Sequence, residues 1–338
     1  MRVGEARAVA ERWVRQYAAR EPGVRGALVS GSTLSMPDDA VLPPWSDVDV
    51  LVVRDAPAGK VGKVRWGGVL LEVTFLTWAE LGEPEEVLGS FVFAGCLRAG
   101  AVLADPTGRL AATHRRVAAE FAEPRWVRRR CAGVRERIER GLRELDASAS
   151  LPEQVMAWLF PTSLTAVVPL VAGLVEPTVR RRYVRAGEVL AGCGLAERYP
   201  GLLDLLDGGG VGAAGVREHL AGLARTFDVA AEVARTPFFF SADITPAARV
   251  VAVDGSAALV AAGFHREAMF WIVATYARCH LILAADAAER GAELLPLFEA
   301  AVADLGVASA ADRRRRADAV LAYLPGLWET AELVLARR

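Results

Sequence analysis

Acidic and apolar residues alternate along Trp45-Ser46-Asp47-Val48-Asp49-Val50-Leu51-Val52-Val53. A period of two belongs to a strand, whose successive side chains point to opposite faces. Val48, Val50 and Val52 then share one face, and Asp47 and Asp49 project side by side from the other. Adjacent like charges are costly unless a cation neutralises them. Hard divalent ions such as Mg²⁺ prefer oxygen ligands and commonly combine one or two carboxylates with substrate phosphates. Upstream, the apolar run Ala27-Leu28-Val29 leads into Gly31-Ser32, a flexible turn next to the acids. The pattern points to a strand-borne, metal-dependent phosphate site.

The flanking sequence extends this into a domain. Residues 4–20 carry charged and apolar positions at helical spacing, and Glu21-Pro22-Gly23 ends that helix. Strands are predicted at Val24–Val29 and Asp47–Val53, with a short helix near Thr33–Ser35. Lys60–Trp66 and Val69–Leu76 read as a hairpin around Gly67-Gly68. In its second arm Leu70, Glu72 and Thr74 share one face, and Leu71, Val73 and Phe75 the other. A helix from about Trp78 leads to a last strand at Ala101–Leu103, ended by Asp105-Pro106. From Arg109 onward the pattern is helical. Breaks fall near Glu123-Pro124, Leu151-Pro152, Glu176-Pro177, Tyr199-Pro200-Gly201, Asp207–Gly210, Pro237 and Gly291, and Phe238–Phe240 is ambiguous. The expected architecture is an α/β domain over 1–108 followed by an all-α helical bundle over 109–338.

Gly31-Ser32 followed by Asp47-Val48-Asp49-Val50, with Glu72 on a later strand, resembles the signature of the polymerase-β-like nucleotidyltransferase superfamily. The spacer, residues 33–46, is slightly longer than usual, and the extra length falls in Met36–Pro44. An insertion in a surface loop is thermodynamically mild. The two-part layout is similar to that of aminoglycoside nucleotidyltransferases, which bind their acceptor between the two parts. The resemblance implies a mixed-sheet catalytic domain and transfer of a nucleoside monophosphate, AMP from ATP first among the NTPs, to an acceptor hydroxyl, with release of pyrophosphate. It implies two Mg²⁺ ions held by Asp47 and Asp49, with Glu72 as a third ligand or as a general base. Gly31, Ser32 and Ser46 become the candidate nucleotide contacts, Ser46 having a turn-forming role as its alternative. The acceptor class is a small hydroxylated molecule such as an aminoglycoside-like antibiotic, which would make the protein a resistance enzyme. Two alternatives stand beside this: a non-catalytic nucleotide-binding or regulatory protein that retains the fold, and nucleotide transfer to RNA or protein.

Composition narrows the partners. The formal net charge is −1, which lacks the basic balance of a nucleic-acid binder. Lys60 and Lys63 are the two lysines, and every other basic residue except the histidines is arginine. Cys96, Cys131, Cys193 and Cys279 are widely spaced, as free thiols in a reducing compartment would be. Met1–Arg20 is charged throughout, and the nearly apolar stretch Leu164–Val175 is short for a membrane span and contains Pro169. The expectation is a cytoplasmic protein without a membrane segment.

Other motifs carry less. Gly210-Val211-Gly212-Ala213-Ala214-Gly215 matches a dinucleotide-binding glycine pattern but follows a helical segment, where that pattern needs a strand. Arg313–Arg316 and the basic helix Arg125–Arg140, interleaved with Glu136 and Glu139, read as solvated helix faces. His114, His219, His265 and His280 have no metal-ligand spacing. Glu267, Trp271, Ala274 and Arg278 lie along one face of an apolar helix, where internal pairing is the leading explanation. No acceptor-binding set is identified.

Overall fold

The valine-rich alternation does form strands. The computed structural model describes residues 1–58 and 62–338; Lys60 and Val61, expected in the first hairpin arm, lie outside the described residues. Two compact units follow one another, Met1–Arg130 and Cys131–Arg338.

In the first unit, helix α1 (Val3–Arg20) buries Val3, Ala6, Val9, Ala10 and Val14, the stripe its periodicity predicts. It faces a mixed five-stranded sheet of order β3-β4-β2-β1-β5. The strands are β1 (Val24–Ser30), β2 (Val48–Arg54), β3 (Gly62–Trp66), β4 (Val69–Thr77) and β5 (Val102–Ala104). The chain leaves β2, takes the edge as β3, and returns as β4 between them, so β2 and β4 run parallel while the other pairs are antiparallel. The core against α1 gathers Ala27, Val29, Val48, Val50, Val52, Leu71 and Val73. Trp13 stacks on Tyr17 at 5.0 Å, and Tyr17 on Phe75 at 5.7 Å. The acids thus lie on the face away from α1, as the alternation requires. Further along that face Leu28, Leu51 and Val53 are buried.

The expected single helix after Trp78 is instead three short ones, α2 (Trp78–Leu81), α3 (Pro84–Gly89) and α4 (Ala94–Ala99). Gly82 ends α2 with φ +84°, and Pro84 starts α3, where its missing N–H costs nothing. Helix α5 (Arg109–Glu120) packs on α3 and α4. Buried Arg130 donates to Leu88 O at 2.9 Å and Phe121 O at 2.7 Å.

Helix α6 (Pro124–Arg143) contains the Arg130–Cys131 step at which the second unit begins. That unit is predominantly helical: α7 (Leu151–Ser163), α8 (Val167–Ala172), α9 (Arg182–Gly192), α10 (Tyr199–Asp207), α11 (Ala213–Val233), α12 (Gly255–Ala261), α13 (His265–Asp286), α14 (Ala288–Asp304) and α15 (Ala310–Arg337). Helix α13 is buried along most of its length, and α7, α11, α12 and α14 pack around it. Phe238–Phe240 forms a turn in which Phe238 and Phe240 stack at 5.1 Å, not a strand. Gly291 does not break a helix; the break falls at Ala287, and α14 runs through Gly291. A Cβ at Gly291 would lie 3.2 Å from Leu283 Cβ, so the glycine lets α13 and α14 approach closely.

Candidate functional site

Strand register assembles the site. Ser30 pairs with Asp49 across β1 and β2, Asp49 with Glu72 across β2 and β4, and Glu72 with Lys63 across β4 and β3. Four residues from four strands therefore form one row on one face of the sheet. Asp47 sits just before β2, two residues from Asp49, and joins the same face. It is delivered by a turn in which Ser46 N donates to Pro43 O at 2.9 Å. This places the Ser46 backbone in a turn-forming role.

Asp47, Asp49 and Glu72 each bring one carboxylate oxygen to within 4.8 Å of the others, and all three are half-buried. An oxygen-only donor set of this spacing fits a hard divalent cation such as Mg²⁺. Sequence reasoning had named these three acids, and the structure brings them together.

Gly31 supports Asp49 directly. Its φ is +76°, and a Cβ there would fall 1.7 Å from Asp49 Oδ2. Only glycine gives the carboxylate its place against the backbone. Gly31 opens a short 3₁₀ turn, Ser32–Ser35, in which Ser35 Oγ donates to Ser32 O at 3.0 Å; Ser32 is exposed. The long spacer is tied down as well. Val3 N donates to Ala40 O and Gly4 N to Asp38 O, both at 2.9 Å, while Arg7 donates to Thr33 O, Met36 O and Asp38 Oδ1. The inserted residues are thus pinned to the start of α1.

The residue that sequence reasoning missed is Lys63. Its ammonium donates to both Asp47 Oδ2 and Glu72 Oε2, and its side chain is 7% exposed. Burial works to lower the Lys63 pKa, but Asp47 and Glu72 outweigh it and hold the ammonium well above its ordinary value. One ammonium cannot neutralise every carboxylate. Burial therefore pushes the Asp47 carboxyl up despite Lys63, and the Glu72 charge adds to the rise. Counting outward from the Gly67-Gly68 turn pairs Trp66 with Val69 and reaches Lys63 opposite Glu72, so a signal for this contact existed.

In the second unit, the two charged residues singled out on α13, Glu267 and Arg278, find partners inside that unit, whereas buried Trp271 Nε1 has no hydrogen-bond partner. Glu267 accepts from Tyr199 OH at 2.8 Å, and Arg278 pairs with Asp243 at 3.0 Å while lying over the rings of Phe160, Phe240 and Trp271. Internal pairing, the leading expectation, holds for Glu267 and Arg278. His219 contacts Asp304 at 2.7 Å, and His280 stacks on Phe298. The glycines at 208–212 form the loop between α10 and α11, with no strand before them. No protein-family model matches the chain, and no curated protein matches it in sequence.

Proposed function

We propose that the protein is a cytoplasmic, Mg²⁺-dependent nucleotidyltransferase that moves a nucleoside monophosphate, AMP from ATP first, to a hydroxyl of a small-molecule acceptor with release of pyrophosphate. The observation that carries this reading is the convergence of Asp47, Asp49 and Glu72 beside the backbone of Gly31. Asp47, Asp49 and Glu72 would hold the metal, two ions in the fullest version of the site. Bound Mg²⁺ supplies charge neutralisation at the attacking and leaving oxygens of an in-line displacement. The protein's own groups do the rest. The turn at Gly31 and Ser32 would offer backbone N–H groups to a triphosphate, Gly31 bringing no side chain of its own. Ser46, in the turn that leads into β2, would be a further nucleotide contact. Glu72 either completes the metal site or draws the proton from the acceptor hydroxyl. A hydroxylated antibiotic of the aminoglycoside kind is the acceptor class to screen first. The net charge of −1 argues against a nucleic-acid acceptor.

A second reading has one observation in its favour. Lys63 bonded to two of the three acids is also an arrangement that a non-catalytic nucleotide-binding protein could keep. Thermal shift with each NTP, with and without Mg²⁺, separates the two when paired with a pyrophosphate-release screen. Mg²⁺-dependent stabilisation by one NTP, lost in Asp47→Ala/Asp49→Ala, is the expected result. Stabilisation with no turnover on any acceptor supports the binding protein, and no stabilisation by any NTP removes the donor site from consideration.

A further inference from the structure

We propose that Lys63 is a built-in cation of the Asp47–Asp49–Glu72 cluster and that a divalent ion enters by displacing it, so that this one side chain sets the metal affinity of the site. The inference rests on the metal-site reading above.

Three features of the structure support it. The first is position. Lys63 is not a surface neighbour that happens to reach the acids; it stands opposite Glu72 in the β3–β4 ladder, and its side chain is nearly buried. The second is overlap. The ammonium bonds Asp47 Oδ2 and Glu72 Oε2, atoms of the same carboxylates whose oxygens gather within 4.8 Å of one another. A cation shared by Asp47 and Glu72 through those two oxygens would sit where the ammonium does, and a dication and an ammonium held within a few ångström in a half-buried site repel each other. The third is the residue type. Apart from Lys60 and the histidines, every other basic residue of the chain is arginine. Arginine would grip a carboxylate with a planar fork, whereas lysine is a compact charge on a flexible four-carbon stem. On the edge strand β3, that stem can carry the ammonium away from the acids without disturbing the ladder.

The charge balance then runs through one side chain. With Lys63 in place, the acids are held together and partly neutralised. When the ion arrives, the ammonium leaves to solvent, and its departure is a cost that the ion's binding must offset. Removing the ammonium removes the competitor.

The test uses the full-length protein and Mn²⁺, whose free concentration is read by electron paramagnetic resonance. Lys63→Met keeps the stem and deletes the charge. It should bind Mn²⁺ at least about tenfold more tightly than wild type, as expected for a unit charge removed from contact distance. Its melting temperature should be lower than wild type without added divalent ion and should rise more on adding Mn²⁺. Lys63→Arg should bind Mn²⁺ more weakly than wild type. A readout on the unaltered chain covers the case in which Lys63→Met does not fold: acetylation of the Lys63 amine, followed by peptide mass spectrometry, should increase when Mn²⁺ is added. Equal or weaker Mn²⁺ binding by Lys63→Met, or Lys63 acetylation unchanged by saturating Mn²⁺, overturns the displacement and makes Lys63 a fixed brace. Absence of Mn²⁺ binding in both wild type and Lys63→Met overturns the metal-site reading, and the displacement with it.

Discussion

Gly31 shows how far one missing atom can govern the site. Its φ of +76° lies in the left-handed region, and a Cβ would stand 1.7 Å from Asp49 Oδ2. Gly31→Ala must therefore both strain the backbone and push Asp49 out of the row it forms with Ser30 and Glu72. Backbone strain of this kind costs about 1–3 kcal/mol, and urea unfolding should record a loss of that order. Mn²⁺ affinity should fall, as is expected also for Asp49→Ala. The clash has a specific partner, which gives a sharper check. In an Asp49→Ala background Gly31→Ala should cost less than it does alone, because the colliding oxygen is gone. Strictly additive losses would show that Gly31 serves only the turn. Asp47, Asp49 and the Gly31 turn were legible in the sequence from local alternation and a turn residue, whereas Glu72 was reached through the resemblance, which calls for a third carboxylate on a later strand. Lys63 was harder: its contact with Asp47 depends on β4 inserting between β2 and β3, and that order of strands is a long-range choice no local pattern announces.

Among the elements, α13 carries the clearest consequence of burial. His280 is 4% exposed, its Nε2 has no hydrogen-bond partner, and its ring stacks on both Tyr276 and Phe298. Burial pushes its pKa down to about 4, below the roughly 6.5 of an unfolded histidine. Above the unfolded value both states are neutral, and His280 adds no pH dependence. As the pH falls below it, the unfolded chain takes up a proton that the folded chain refuses, so stability is lost progressively down to about pH 4 and levels off beneath. The full loss is on the order of 3 kcal/mol. In His280→Phe the stability difference from wild type should be constant above pH 7 and grow in the variant's favour between pH 6.5 and pH 4. Parallel pH profiles from urea titrations would rule this out. The existence of α13 was plain from its apolar length, but its edges were not. Gly291 reads locally as a helix breaker, whereas close packing against Leu283 is what it serves. Glycines that end helices and glycines that let helices touch look alike until the neighbour is known; Gly82, at φ +84°, is of the first kind and helps to divide the expected helix after Trp78 into three.

For the whole molecule, hydropathy and burial have to be weighed together. Leu151–Ala172, His265–Asp286 and Ala310–Arg337 are each long and apolar enough to cross a membrane by length and composition. A spanning helix presents its apolar surface to lipid, whereas a core helix spends it on neighbouring side chains. In the first two segments 72% and 78% of the most apolar window is buried inside the protein, so their hydropathy is accounted for by packing. Ala310–Arg337 is the segment to decide on, since only 33% of its window is buried. Its buried residues Ala317, Val320, Leu324, Leu327, Ala331 and Val334 recur at alternating steps of three and four, a single stripe along one side of α15. Its N-terminal turns carry Asp312 and Arg313–Arg316. The Arg313 and Arg314 guanidinium groups are occupied by Val307 O, Gln154 Oε1 and Leu142 O. An amphipathic helix anchored at its start by such contacts gains more from packing its stripe on protein than from lipid on all sides. The full chain expressed without detergent should therefore remain in the supernatant after high-speed centrifugation of a cell lysate. Recovery in a membrane pellet that resists alkaline carbonate extraction would mean that α15 inserts, and the stripe would then have to be read as a helix–helix contact within the bilayer.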